Sequence, residues 1–129
     1  MKIIPLQCEY INKNFYFVGN CKKVDVVKWL NKKYKPEQFI GSDSMGATWF
    51  WENKKGYPNV VVWAEHNKDF IYTLYHEIAH AIFFLMKRDG INPRDSHGEH
   101  FCYLQEYLVK QVVDKLKHKK TTRKLAKKK

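Results

Sequence analysis

The order of apolar and polar residues divides the chain into a series of short elements followed by two long ones. Apolar runs at residues 2–6 and 15–18 read as strands, the second closed by the turn signal Gly19-Asn20. Val24, Val27, Leu30 and Tyr34 recur at helical spacing, which predicts an amphipathic helix over 23–34 that ends near Pro36. Residues 41–46 are polar and punctuated by glycine, and read as a loop. Thr48-Trp49-Phe50-Trp51 and Val60-Val61-Val62-Trp63 are rich in β-branched and aromatic residues. They flank a segment of hairpin-loop composition, 53–59, and are expected to pair antiparallel. The longest periodic stretch, 68–88, predicts a helix that Asn67 or Asp69 can cap and that Gly90 and Pro93 close. A second long helix is expected over 98–117, with Phe101, Leu104, Leu108, Val112 and Leu116 on one face.

Composition bounds what these elements can build. The chain has 129 residues, enough for one core, and its 44% apolar and 16% aromatic content excludes a disordered chain. No apolar run approaches the roughly 20 residues that span a bilayer, and residues 1–6 do not resemble a secretory signal. The three cysteines, Cys8, Cys21 and Cys102, form no close pair and are expected to be reduced thiols. These features together predict a single α+β domain in the cytoplasm, monomeric and without a membrane partner. The formal net charge is +11, yet nine basic residues and no acid fall within 115–129. Residues 1–114, the expected folded domain, therefore carry only +2. Residues 115–129 are expected to form a basic tail, frayed beyond Lys117, suited either to solubility or to nonspecific contact with nucleic acid.

The candidate chemistry lies in the first long helix, where His76-Glu77-Ile78-Ala79-His80 forms an H-E-x-x-H pattern. One helical turn separates the two histidines, so both imidazoles project from one face and can share a metal ion, with zinc the natural choice. Glu77 is offset by about 100° around the helix, a position from which its carboxylate can take a proton from water without ligating the metal. Residue frequencies give roughly 0.015 chance occurrences of the pattern in a chain of this composition. A catalytic zinc site needs a third protein ligand and a fourth position for water. Glu99 and His97, after the turn, both have suitable spacing, and spacing alone leaves the choice between them open. His100 and Glu106 are turned away from the face of Glu99. His66 and His118 read as surface residues.

Residues 56–113 resemble the small phage-encoded zincin-like metallopeptidases. The resemblance rests on Gly56-Tyr57-Pro58-Asn59, the apolar strand 60–64, the H-E-x-x-H-A of 76–81, Gly90-Ile91, and Glu99-His100-Phe101-Cys102-Tyr103-Leu104 with Tyr107. It implies a minimal zincin-like domain, with a small, mostly antiparallel sheet packed on an active-site helix and a C-terminal helix. It also implies one catalytic Zn2+ held by His76, His80 and Glu99, Glu77 as the catalytic carboxylate, and hydrolysis of a protein or peptide substrate in the host cytoplasm. His97-Gly98-Glu99-His100-Phe101 is also similar to the H-G-x-x-F element of SprT-like proteases, and that likeness implies His97 as third ligand.

In zincins an edge strand beside the active-site helix commonly pairs with an extended substrate, a role open to 49–51 or 60–65. Trp49, Trp51 and Trp63 are expected mainly to pack the core. Tyr103, one turn beyond Glu99, is expected to pack between the two long helices, or else to reach a ligand. The competing functional reading is a zinc-containing module that associates with DNA or binds a host factor and has no peptidase activity.

Overall fold

The computed structural model describes residues 1–33 and 45–128, with side chains through Lys117. It is an α+β fold in which strands β1 (Lys2–Pro5) and β2 (Phe15–Gly19) precede helix α1 (Lys23–Lys33). Strands β3 (Gly46–Glu52) and β4 (Pro58–Ala64) follow, then helix α2 (Phe70–Arg88), a short turn Asp95–Gly98, and helix α3 (Glu99–Lys128). The expected end of the first helix near Pro36 and the expected loop at 41–44 lie outside the described residues. Gly46, expected in that loop, opens β3 instead. The bounds of α3 run past Lys117, and the expectation for the basic tail falls on residues whose side chains are not described.

The four strands form one sheet in the order β1-β2-β4-β3. β1 pairs antiparallel with β2, and β3 with β4 in the expected hairpin, but β2 and β4 run parallel. β4 is thus an interior strand. Asn59 to Ala64 are all buried, as a continuous Val-rich run covered on both faces should be.

Alternation along the strands divides the apolar residues between two cores. Val60, Val62 and Ala64 join Phe15, Phe17 and the inner faces of α2 and α3 in the larger one. Val61, Trp63, Val18, Ala47 and Trp49 meet Val26 and Leu30 of α1 in the smaller one. The sheet is therefore a middle layer, with α1 on one face and the two long helices on the other. Trp49 and Trp63 are buried as expected, while Trp51 is half-buried at the end of β3.

Helix α2 begins two residues later than its periodicity suggests. The Asn67 side chain accepts a hydrogen bond from the Asp69 amide (2.9 Å), and the Asn67 carbonyl accepts one from the Phe70 amide (3.1 Å). Those bonds commit 67–69 to a turn. Helix α3 lies along the outer edge of β1. Gln111 exchanges two hydrogen bonds with the Gln7 backbone (2.9 and 2.8 Å), and Lys115 donates to the Pro5 carbonyl (2.7 Å). Side chains of α3 thus occupy the edge positions that another strand would use. Among the described residues β3 is the edge with no such cover. No helix among the described residues is long and apolar enough to cross a membrane.

Leu108 is fully buried where α3 enters the larger core. Leu108→Ala is expected to lower stability by about 2–5 kcal/mol, from lost burial and the cavity left behind. Denaturant titration followed by far-ultraviolet circular dichroism checks this.

Candidate metal centre

Helix α2 packs its inner face on the sheet, which sends successive residues of the H-E-x-x-H segment to different environments. Leu74, Ile78, Ala81 and Ile82 are buried in the core. Glu77 is also buried, only 1% exposed, whereas His76 is exposed and His80 half-buried. The histidines border solvent, and the carboxylate stands behind them in a dry interface.

That interface is made by β3. Its even-numbered residues face α2, so Gly46, Thr48 and Phe50 form a row opposite Thr73, Glu77 and Phe84. Phe50 stacks on Phe84 with ring centroids 4.3 Å apart. The Thr48 hydroxyl donates to the Glu77 backbone carbonyl at 2.8 Å and lies 3.3 Å from its carboxylate Oε1. A hydroxyl carries one proton, so the two acceptors share it. Gly46 is where the strand comes closest to the helix. A Cβ there would stand 2.5 Å from Thr73 Cγ2 and 2.9 Å from Glu77 Cγ. Glycine is required because no other residue leaves room for the Glu77 stem. Thr48 and Gly46 were not singled out in the sequence. The available signal was parity along the strand, which puts 46 and 48 on the face of Phe50.

The two imidazoles converge. His76 Nε2 and His80 Nε2 are 3.2 Å apart, with the rings nearly perpendicular at 82°. Tetrahedral zinc with Zn–N bonds of about 2.0–2.1 Å needs two ligand nitrogens about 3.3–3.4 Å apart. The observed separation meets that requirement almost without movement, so the pair fits a zinc ion. The ligand atoms of His76, Glu77 and His80 all lie within 4.8 Å of one another. The two imidazoles suit zinc in kind as well as in spacing.

The other sequence candidates sit apart from this group. Glu99 is exposed at the first residue of α3, and His97 is exposed in the preceding turn. Ser96, His97 and Gly98 all have left-handed backbones (φ 56°, 59° and 77°). Glycine adopts that conformation freely, whereas Ser96 and His97 do so at a cost. This turn reverses the chain between α2 and α3 and fixes the direction in which Glu99 leaves it. His100 bonds Tyr10 through its Nε2 and lies 3.2 Å from Glu9 Oε1, which ties the start of α3 to the loop before β2. Tyr103 is 66% exposed and does not pack between the helices. Phe101 fills that place, 4.9 Å from Phe83, and Gln105 donates to the Tyr75 carbonyl at 3.0 Å.

Of the two strands considered for substrate pairing, β4 is interior and β3 is the edge. The register decides which β3 groups face outward. Glu65 bonds Met45 and Asn53 bonds Tyr57, so the odd-numbered residues of β3 form the hydrogen-bonded pairs with β4. The amides and carbonyls of Gly46, Thr48, Phe50 and Glu52 then point to the open edge. Nucleophilic thiol chemistry has less support. Burial pushes the thiols of Cys8 and Cys21 up from their ordinary values, which disfavours the reactive thiolate at neutral pH.

Comparison with known proteins returns no matching family model, no matching curated protein and no matching solved structure.

Gly46→Ala is expected to force β3 away from Thr73 and Glu77, at about 1–3 kcal/mol as for other overpacked interiors. Alanine at the half-buried Gly56, which has open space where a Cβ would stand but a positive φ of 82°, is expected to cost about 1–2 kcal/mol through backbone strain alone. Parallel chemical melts of the two variants, with zinc titrations, check this: only the Gly46 substitution should weaken metal binding as well.

Proposed function

We propose that this chain is a zinc-dependent metallopeptidase acting in the cytoplasm, with His76, His80 and Glu99 as metal ligands and Glu77 as the catalytic carboxylate. The observation that carries the reading is the convergence of His76 Nε2 and His80 Nε2 at 3.2 Å beside a buried glutamate. A zinc ion held there supplies Lewis-acid chemistry to a scissile carbonyl. Glu77 accepts a proton from the attacking water and returns it to the departing amine. Thr48 keeps the Glu77 carboxylate from rotating into other positions, so the base is already oriented before substrate arrives. The outward backbone groups of Thr48 and Phe50 offer an extended peptide main-chain hydrogen bonds parallel to α2. Three free thiols, with no disulfide among them, suit a reducing compartment.

Two experiments test this. The purified protein is expected to bind about one equivalent of zinc by atomic emission and to cleave a denatured protein substrate in a chelator-sensitive way. Glu77→Gln should keep the zinc and lose at least about a hundredfold in turnover, the scale of a general base. A Glu77→Gln enzyme of unchanged turnover would overturn the role of Glu77. The third ligand is tested separately: Glu99→Ala is expected to weaken zinc binding by about 10–100-fold or more, and His97→Ala to leave it unchanged. The reverse outcome would transfer the ligand role to His97.

A further inference from the structure

One stripe of side chains runs along the solvent side of α2. His76, His80, Phe83 and Lys87 follow the spacing i, i+4, i+7, i+11, which places them in line on a single helix face. Between them Ile78, Ala81, Ile82, Leu85 and Met86 are buried in the core. His80 is half-buried, and His76, Phe83 and Lys87 are exposed. Phe83 is 51% exposed, a large apolar surface to leave in water one turn past the histidine pair.

The far end of the stripe is a depression. Phe83, Lys87, Gly90, Ile91, Asn92 and Pro93 line about 460 Å3 where the chain leaves α2, within the roughly 300–1,000 Å3 of ligand clefts. Its walls are held in place. The Ile91 amide donates to the Met86 carbonyl at 2.8 Å, and the Gly90 amide to the Lys87 carbonyl at 3.2 Å, which folds the turn back on the helix end. Ile91 packs on the larger core, and Phe83 rests against Phe101. Phe83, Ile91 and Pro93 make the depression apolar, and Lys87 sets one cation at its side. Among the described residues Lys87 has no ion-pair partner.

We infer that this depression is a substrate subsite that takes a large apolar side chain flanked by acidic residues, about three residues N-terminal to the scissile bond. The inference rests on the peptidase reading. Geometry sets the distance. At 1.5 Å of rise per residue, the depression lies about 10 Å along α2 from the middle of the His76–His80 pair. An extended peptide covers that length in about three residues. Direction follows from β3. Gly46 lies opposite Glu77, and Phe50 opposite Phe84, so β3 and α2 run the same way. A peptide paired antiparallel with β3, in the more stable of the two ladders, brings its N-terminal residues to the Lys87 end. The apolar walls select the apolar side chain, and Lys87 selects acids over bases beside it.

The test uses the full-length zinc-loaded chain and short fluorescein-labelled peptides that carry Glu-Phe-Glu, Glu-Ser-Glu or Lys-Phe-Lys in an alanine and serine background. Anisotropy on Glu77→Gln reads binding, and mass spectrometry on the parent reads cleavage. Glu-Phe-Glu is expected to bind about tenfold tighter than Glu-Ser-Glu and about threefold tighter than Lys-Phe-Lys. The parent should cut it about three residues past the Phe. Adding Lys87→Glu should reverse the order of Glu-Phe-Glu and Lys-Phe-Lys, and adding Phe83→Ala should remove most of the preference for Phe over Ser. Zinc content equal to the parent's shows that neither change has disrupted the metal site. Cleavage of all three peptides alike, with no order in binding, would overturn the subsite and leave the peptidase reading standing. Binding in the expected order, reversed by Lys87→Glu but without cleavage, would overturn the peptidase reading and support the apolar and acidic binding site. An order that Lys87→Glu leaves unchanged would overturn the role of Lys87, and neither binding nor cleavage would overturn both.

Discussion

The candidate site depends on one close approach, that of β3 to α2 at Gly46 and Thr48. A glutamate on the sheet-facing side of a helix normally faces a desolvation penalty with nothing to offset it. In this protein the absence of a Cβ at Gly46 makes room for the stem, and the Thr48 hydroxyl supplies a donor to both the backbone and the carboxylate of Glu77. Because Glu77 is anchored inward, His76 and His80 are left on the outer side of the helix, converging on one point at the solvent boundary. Arg88 holds the other end of the same contact. It bonds Glu52 at 2.9 Å and the Gly56 carbonyl, fastening the β3–β4 hairpin to the end of α2.

The second constraint is which sheet edge stays open. α3 is apolar enough to close the larger core, and its Gln111 and Lys115 also bond the backbone of Gln7 and Pro5 at the end of β1. The edge without such cover among the described residues is β3, the strand that touches Glu77.

Much of this was legible in the residues themselves. Hydrophobic period placed α2 to within two residues and the start of α3 to within one, though α3 runs on to Lys128, and β-branched and aromatic runs with a turn between them placed the β3–β4 hairpin. The i, i+4 spacing of His76 and His80 already required convergence. Less legible was anything that depends on which strand lies beside which. The parallel pairing of β2 with β4 is long-range, and it alone decides that β4 is interior and β3 an edge. Gly46 read as loop because glycine punctuates loops more often than it permits strand–helix contact. Tyr103 read as a packing residue from its place one turn past Glu99, yet Phe101 and Gln105 face α2 instead. The placement of Glu99 and His97 depends on the left-handed turn at 96–98, in which two non-glycine residues adopt a conformation their types do not announce.

The claim on which the account rests is that His76 and His80 share one zinc ion. X-ray absorption at the zinc edge, on protein reconstituted with one equivalent of metal, tests it directly. The account predicts a coordination shell with two imidazole scatterers and nitrogens at about 2.0–2.1 Å, lost together in His76→Ala/His80→Ala. A shell without imidazole, or one that survives that double substitution, would contradict it.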